Sequence, residues 1–149
     1  MALLRFVGAL VIIMIASLAC ASGAAPAAIS HPEADTTSGL FTVTLGEFSV
    51  KTDTSDVSAG KVTFAIKNAG AAKHELVVLQ TTEAALPVDS QTQKAAEEAT
   101  GVKHIGEFDG LDAGTTKALT LDLPAGTYQL ICNYPGHYHA GMVATLVVH

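Results

Sequence analysis

One segment near the C-terminus gathers side chains that share a chemistry. It reads Cys132-Asn133-Tyr134-Pro135-Gly136-His137-Tyr138-His139-Ala140-Gly141-Met142, with four residues between cysteine and the first histidine and four more before methionine. A thiolate, an imidazole and a thioether on one short loop suit a transition-metal ion. A thiolate with two imidazoles suits copper, which must be held acceptably as both Cu(I) and Cu(II), and a distant thioether weakly favours the softer Cu(I). Pro135-Gly136 is turn chemistry that brings His137 back toward Cys132. A second imidazole has to come from elsewhere. His74 is the best candidate, because it follows a Gly-containing turn and opens an apolar run, His74 to Gln80. Taken singly, Cys132 and Met142 would read as ordinary core; their joint placement with His137 points to a metal. His139 reads as a solvated neighbour. His31, His104 and His149 carry no pattern, and Asp109 and Asp112 beside Gly110 and Gly114 read as a turn.

The elements that must position these residues are strands. Phe41, Val43 and Leu45 alternate with threonines, and Phe48 and Val50 follow. Val62, Phe64 and Ile66 alternate with polar or small neighbours, as do Leu119, Leu121 and Leu123. Period two means strands with one face on a core. The runs are bounded by Ser58-Ala59-Gly60, Asn68-Ala69-Gly70, Asp112-Ala113-Gly114 and Pro124-Ala125-Gly126, all turn sequences. Along the run Gly126 to Cys132, the residues Tyr128, Leu130 and Cys132 share a face. Along Met142 to Val148, Met142, Ala144, Leu146 and Val148 do the same. Cys132 and Met142 should therefore point inward from facing strand ends, with the loop between them. Ser90-x-x-Gln93 resembles a capping box, and Lys94 to Ala99 favours a short helix that Gly101 would end. The expected fold is all-β, a two-sheet Greek-key sandwich of seven or eight strands with one short helical insertion. Leu123 to Tyr128 resembles a tyrosine corner.

The chain has 149 residues and two cysteines, Cys20 and Cys132. Phe6 to Ala19 is an apolar stretch of fourteen residues behind Arg5, the length of a signal-peptide core and too short to span a membrane as a helix. Two cleavage readings of its end stay open, and a retained membrane anchor is a third reading of the stretch. Ala19-Cys20-Ala21 fits ordinary signal peptidase, whereas Ser17-Leu18-Ala19-Cys20 loosely resembles a lipobox, with Leu18 one position late. The expected organisation is a leader over 1–21 (or a lipoprotein signal ending before Cys20), a flexible linker over 22–39 and one domain over 40–149. The domain would then be exported to the periplasm or cell surface, a monomer with membrane contact only through a lipid on Cys20. It would hold one thiol and no internal disulfide. The formal charge of −6 disfavours nucleic acid; it mildly favours basic protein partners, or serves only solubility.

The 132–142 segment resembles the copper loop of the small blue (type 1) copper proteins, the plastocyanin and azurin family of cupredoxins. Its Cys-x-x-Pro-Gly-His stretch is similar to those of azurins, auracyanins and sulfocyanins, and its His-to-Met gap is closer to the latter two. The resemblance implies one copper ion with His74, Cys132 and His137 as equatorial ligands and Met142 axial. It implies single-electron transfer between redox proteins such as cytochromes or oxidases. These would dock near His137, on a patch including Pro135, Tyr138, Ala140 and Gly141. There are departures. Many relatives have asparagine after the first histidine, bonded to the backbone beside the cysteine. Here that position is Glu75, and the cysteine is followed by Asn133, so the brace is either a carboxylate–backbone bond or missing. Blue-copper oxidases need further coppers, usually through histidines flanking the cysteine; Ile131 and Asn133 stand there instead, which argues against an enzyme. A cell-envelope copper chaperone or storage protein is the alternative, distinguished by faster metal exchange.

Overall fold

In the computed structural model, residues 37–149 are described. The predicted leader, Cys20 and most of the predicted linker lie outside the described residues. Among the described residues nine strands form: β1 (Thr37–Gly46), β2 (Ser49–Thr52), β3 (Asp56–Val57), β4 (Gly60–Asn68), β5 (His74–Gln80), β6 (Lys103–Leu111), β7 (Thr116–Leu123), β8 (Gly126–Ile131) and β9 (Val143–Val148). They make two sheets, ordered β2-β1-β4-β7 and β3-β9-β8-β5-β6. The β1–β4 and β3–β9 pairs are parallel and the others antiparallel. This is the two-sheet, all-strand architecture that the alternation predicts.

The alternating residues do what period two requires. Phe41, Val43, Leu45, Val62, Phe64 and Ile66 of the first sheet are buried, and they pack in one core with Leu76, Val78, Tyr128, Leu130 and Leu146 of the second. Phe41 and Phe64 meet edge to face, with ring centroids 5.4 Å apart. The Tyr128 hydroxyl donates to the Pro124 carbonyl at 2.6 Å, which makes the predicted tyrosine corner. β5 is apolar on both faces because both are covered. Its Val77 and Leu79 join Ile131, Leu86, Ala95 and Tyr138 in a smaller core on the outer side of the second sheet. The chain between β5 and β6 supplies that cover.

The same segment corrects the predicted helix. Residues 94–99 are not helical, and no α-helix occurs among the described residues. Asp89 takes the N–H groups of Gln91 and Thr92, Gln93 has a left-handed φ of +57°, and Val88 pairs with Ala95 as an isolated bridge. The N–H and C=O of Ala95 both bond the Asn133 side chain, at 2.6 and 3.0 Å, and are withdrawn from any helical ladder. Tertiary hydrogen bonding outweighs a weak local propensity here. β6 is a strand that the alternation does not predict. Its apolar residues Ile105, Phe108 and Leu111 are spaced by three, because its pairing with β5 shifts register twice.

Candidate metal centre

The ends of β5 and β8 lie side by side, with Val77 opposite Ile131. His74 opens β5, Cys132 follows β8, and both reach the same end of the sandwich. The loop from Cys132 to Met142 is closed at its base, where the Cys132 N–H donates to the Met142 carbonyl at 3.1 Å. Inside it, the His137 N–H donates to the Tyr134 carbonyl and the Met142 N–H to the His137 carbonyl, at 2.9 and 3.1 Å. Gly136 has φ +81°, a left-handed turn that a side chain would strain.

Three donor atoms converge. His74 Nδ1 and His137 Nδ1 are 3.3 Å apart, Cys132 Sγ is 3.3 Å from His137 Nδ1, and it is 3.7 Å from His74 Nδ1. A point equidistant from all three lies about 2.0 Å from each, the length of metal–imidazole bonds. The donor set therefore fits a trigonal copper site. His74 and Cys132 are fully buried, while His137 is half-buried. Met142 is fully buried in the main core beside Cys132. Burial raises the Cys132 thiol pKa, and the Glu75 N–H, 3.4 Å from Sγ, opposes that rise. Metal binding must therefore release a proton from this thiol. Burial, then the neighbouring His137, lowers the His74 pKa, which keeps its imidazole neutral and available.

The brace left open by the sequence is present as a carboxylate. Glu75 Oε1 accepts the Asn133 N–H at 2.9 Å and so ties β5 to the residue after Cys132. Glu75 is itself buried, and burial raises its pKa to about 7. Asn133 is clamped from the other side by Ala95 and by Glu97 Oε1, 2.6 Å from its Nδ2.

One expected surface residue is corrected. Tyr138 does not belong to the patch around His137. It is buried in the smaller core, where its hydroxyl accepts the Leu86 N–H at 2.8 Å. Its ring is needed to cover β5, and its hydroxyl finds an internal partner. Phe48 and Tyr134 stand in its place, with ring centroids 6.3 and 5.8 Å from that of His137. Phe48 is exposed although large and apolar, and has φ +58°. An aromatic residue forced into a turn was the available signal. His139 is exposed and outside the donor triangle. His104, without pattern in the sequence, lies 3.6 Å from Glu97 and 3.5 Å from Glu107, the spacing of a surface ion-pair group.

Comparison with known proteins points to the same metal, copper. The model of the copper binding proteins of the plastocyanin/azurin family matches residues 38–149. Auracyanin-B of Chloroflexus aurantiacus is 54% identical over 39 residues, which is 26% of this chain and 17% of that protein. The chain thus aligns with less than a fifth of that relative's length. Among solved structures, auracyanin A, a "blue" copper protein from the same bacterium, is 28% identical with a TM-score of 0.51, over 74% of this chain and all of that one. The dithionite-reduced auracyanin of Roseiflexus castenholzii shares the fold, with a TM-score of 0.55 at 23% identity, over 76% of this chain and 98% of that one.

Proposed function

Because the chain belongs to the plastocyanin/azurin family of copper-binding proteins, we propose that it carries single electrons between redox proteins. His74, Cys132 and His137 would hold one copper ion, with Met142 as a weak further ligand, and the ion would supply the one-electron couple. The observation that carries this reading is the donor triangle, buried on two corners and half-buried on the third. Copper supplies a one-electron couple that such a mixed nitrogen and sulfur set accommodates in both oxidation states.

The chain's own residues do the rest. Cys132 gives up its proton and receives the Glu75 N–H in return. Glu75 and Asn133 hold the two ligand-bearing strands at fixed spacing, so that little has to move when the charge at the site changes. His137 lies between the core and the surface, edged by Phe48 and Tyr134. With exposed Pro135, Ala140 and Gly141 around it, it offers an apolar landing for a cytochrome or an oxidase. The net charge of −6 favours a basic partner. The apolar N-terminal stretch supports export, by either ordinary cleavage or lipidation of Cys20.

The test is spectroscopic. One equivalent of Cu(II) added to the metal-free protein should give an intense blue or green thiolate-to-copper band, absent from Cys132→Ser. A colourless copper complex, or a coloured Cys132→Ser variant, sinks the proposal. For export, detergent partitioning of the wild type but not of Cys20→Ala identifies the lipidated form, and a soluble product cut after Ala21 identifies the secreted one.

A further inference from the structure

His74 turns one ring nitrogen toward the donor triangle and the other away from it. The outward nitrogen, Nε2, is buried and has no hydrogen-bond partner. If Nδ1 is to face a metal it must be free of hydrogen, so the neutral ring carries its proton on Nε2. A buried N–H without an acceptor costs about 1–3 kcal/mol, and histidine ligands ordinarily donate that hydrogen to a carboxylate, carbonyl or water. The nearby acceptor is Glu47 Oε1, 4.0 Å away.

Glu47 is not a passing surface residue. It sits in the turn between β1 and β2, and its carboxylate lies on the turn that precedes His74, accepting the N–H groups of Ala71 and Ala72. These bonds hold the carboxyl pKa below its ordinary value, so it remains an anion. Gly70 makes room for it: a Cβ there would lie 2.5 Å from Glu47 Oε1. The 70–72 turn does not need Glu47 to keep its shape, because buried Asn68 staples it through the Gly70 N–H and the Ala72 carbonyl at 2.9 and 2.8 Å. The next residue, Phe48, lies against His137. Two successive turn residues thus reach both histidines of the triangle.

We propose that Glu47 is a positioning residue of the metal centre: its carboxylate takes the Nε2–H of His74 and so fixes which ring nitrogen faces the metal. The 4.0 Å separation exceeds a hydrogen bond by about 1 Å. The Glu47 side chain is half-exposed, and its Oε1 already accepts the Ala71 and Ala72 N–H groups, so taking the Nε2–H requires a shift of about 1 Å that keeps those bonds. The proposal rests on the copper reading for its consequence, but the 4.0 Å approach of the carboxylate to Nε2 involves no metal.

The experiment compares wild type, Glu47→Gln and Glu47→Ala in the full chain. In the metal-free proteins, ¹⁵N shifts of the His74 ring report the tautomer. Wild type should hold Nε2–H, Glu47→Gln should retain it through its amide oxygen, and Glu47→Ala should shift toward Nδ1–H with at least tenfold faster ring-proton exchange. In the copper-loaded proteins, both variants lose a negative charge that favours Cu(II). The Cu(II)/Cu(I) ratio at a fixed potential should fall about threefold, or about 28 mV upward in potential at 59 mV per tenfold. Equal tautomer populations and exchange in all three proteins would show that Glu47 does not hold the His74 ring, and the proposal would be wrong. A wild type lacking the thiolate-to-copper band would overturn the copper reading instead, while the metal-free ring shifts still decide the Glu47 contact.

Discussion

The carboxyl of Glu75 is the most consequential titratable group beside the site. Burial raises its pKa from the ordinary 4.5 to about 7 in the folded chain. A carboxyl with a higher pKa in the folded than in the unfolded state stabilises the fold while protonated. That contribution is complete below about pH 4.5, declines as the pH rises, and is gone above about pH 7. At 1.36 kcal/mol per unit, the difference is on the order of 3 kcal/mol, a large share of a small domain's stability. Glu75→Gln should keep an acceptor for the Asn133 N–H while removing the charge. Urea unfolding of the metal-free proteins from about pH 4.5 to 8 would measure this. Wild type should lose on the order of 3 kcal/mol more than Glu75→Gln across that range, with unchanged denaturant slope. The buried His74 acts in the opposite sense: its pKa is lowered, so its contribution is lost as the pH falls. It is present in both proteins and cancels in the comparison. Superimposable pH profiles would refute the argument, because Glu75 would then ionise as freely in the fold as in the unfolded chain.

Tyr128→Phe removes the hydroxyl bond to Pro124 and should cost about 1 kcal/mol in chemical denaturation without altering the copper spectrum. Asn133→Ser takes away the side-chain bonds to Ala95 and Glu97; hydrogen exchange at the Ala95 amide should quicken, and a protected Ala95 would count against the clamp. Met142→Leu removes a weak donor and should raise the reduction potential, whereas Met142→Gln offers a harder oxygen and should lower it. Voltammetry giving one potential for all three proteins would reduce Met142 to core packing.

Much of the site is legible in the sequence because it is local there. Cys132, His137 and Met142 occupy one loop, and the period-two pattern on either side turns the cysteine and methionine inward. His74 can be nominated, since it opens a strand after a turn, but only the pairing of β5 with β8 brings its Nδ1 to 3.7 Å from Cys132 Sγ. The alternation in β1, β4 and β7 is equally readable, because each strand turns one face to the core. The missed and mistaken parts have a common cause. β6 loses its period to register shifts that depend on β5. The residues around 94–99 have helical composition, yet Ala95 gives both its backbone groups to Asn133, thirty-eight residues away. Tyr138 has the sequence position of a surface loop residue but turns inward to cover β5. Glu47 and Phe48 look like ordinary turn residues until the sandwich closes and sets them against His74 and His137. Periodicity records which face a residue turns to the core; it carries no record of which distant backbone group or ring will meet that face, and that is decided only when the two sheets pack.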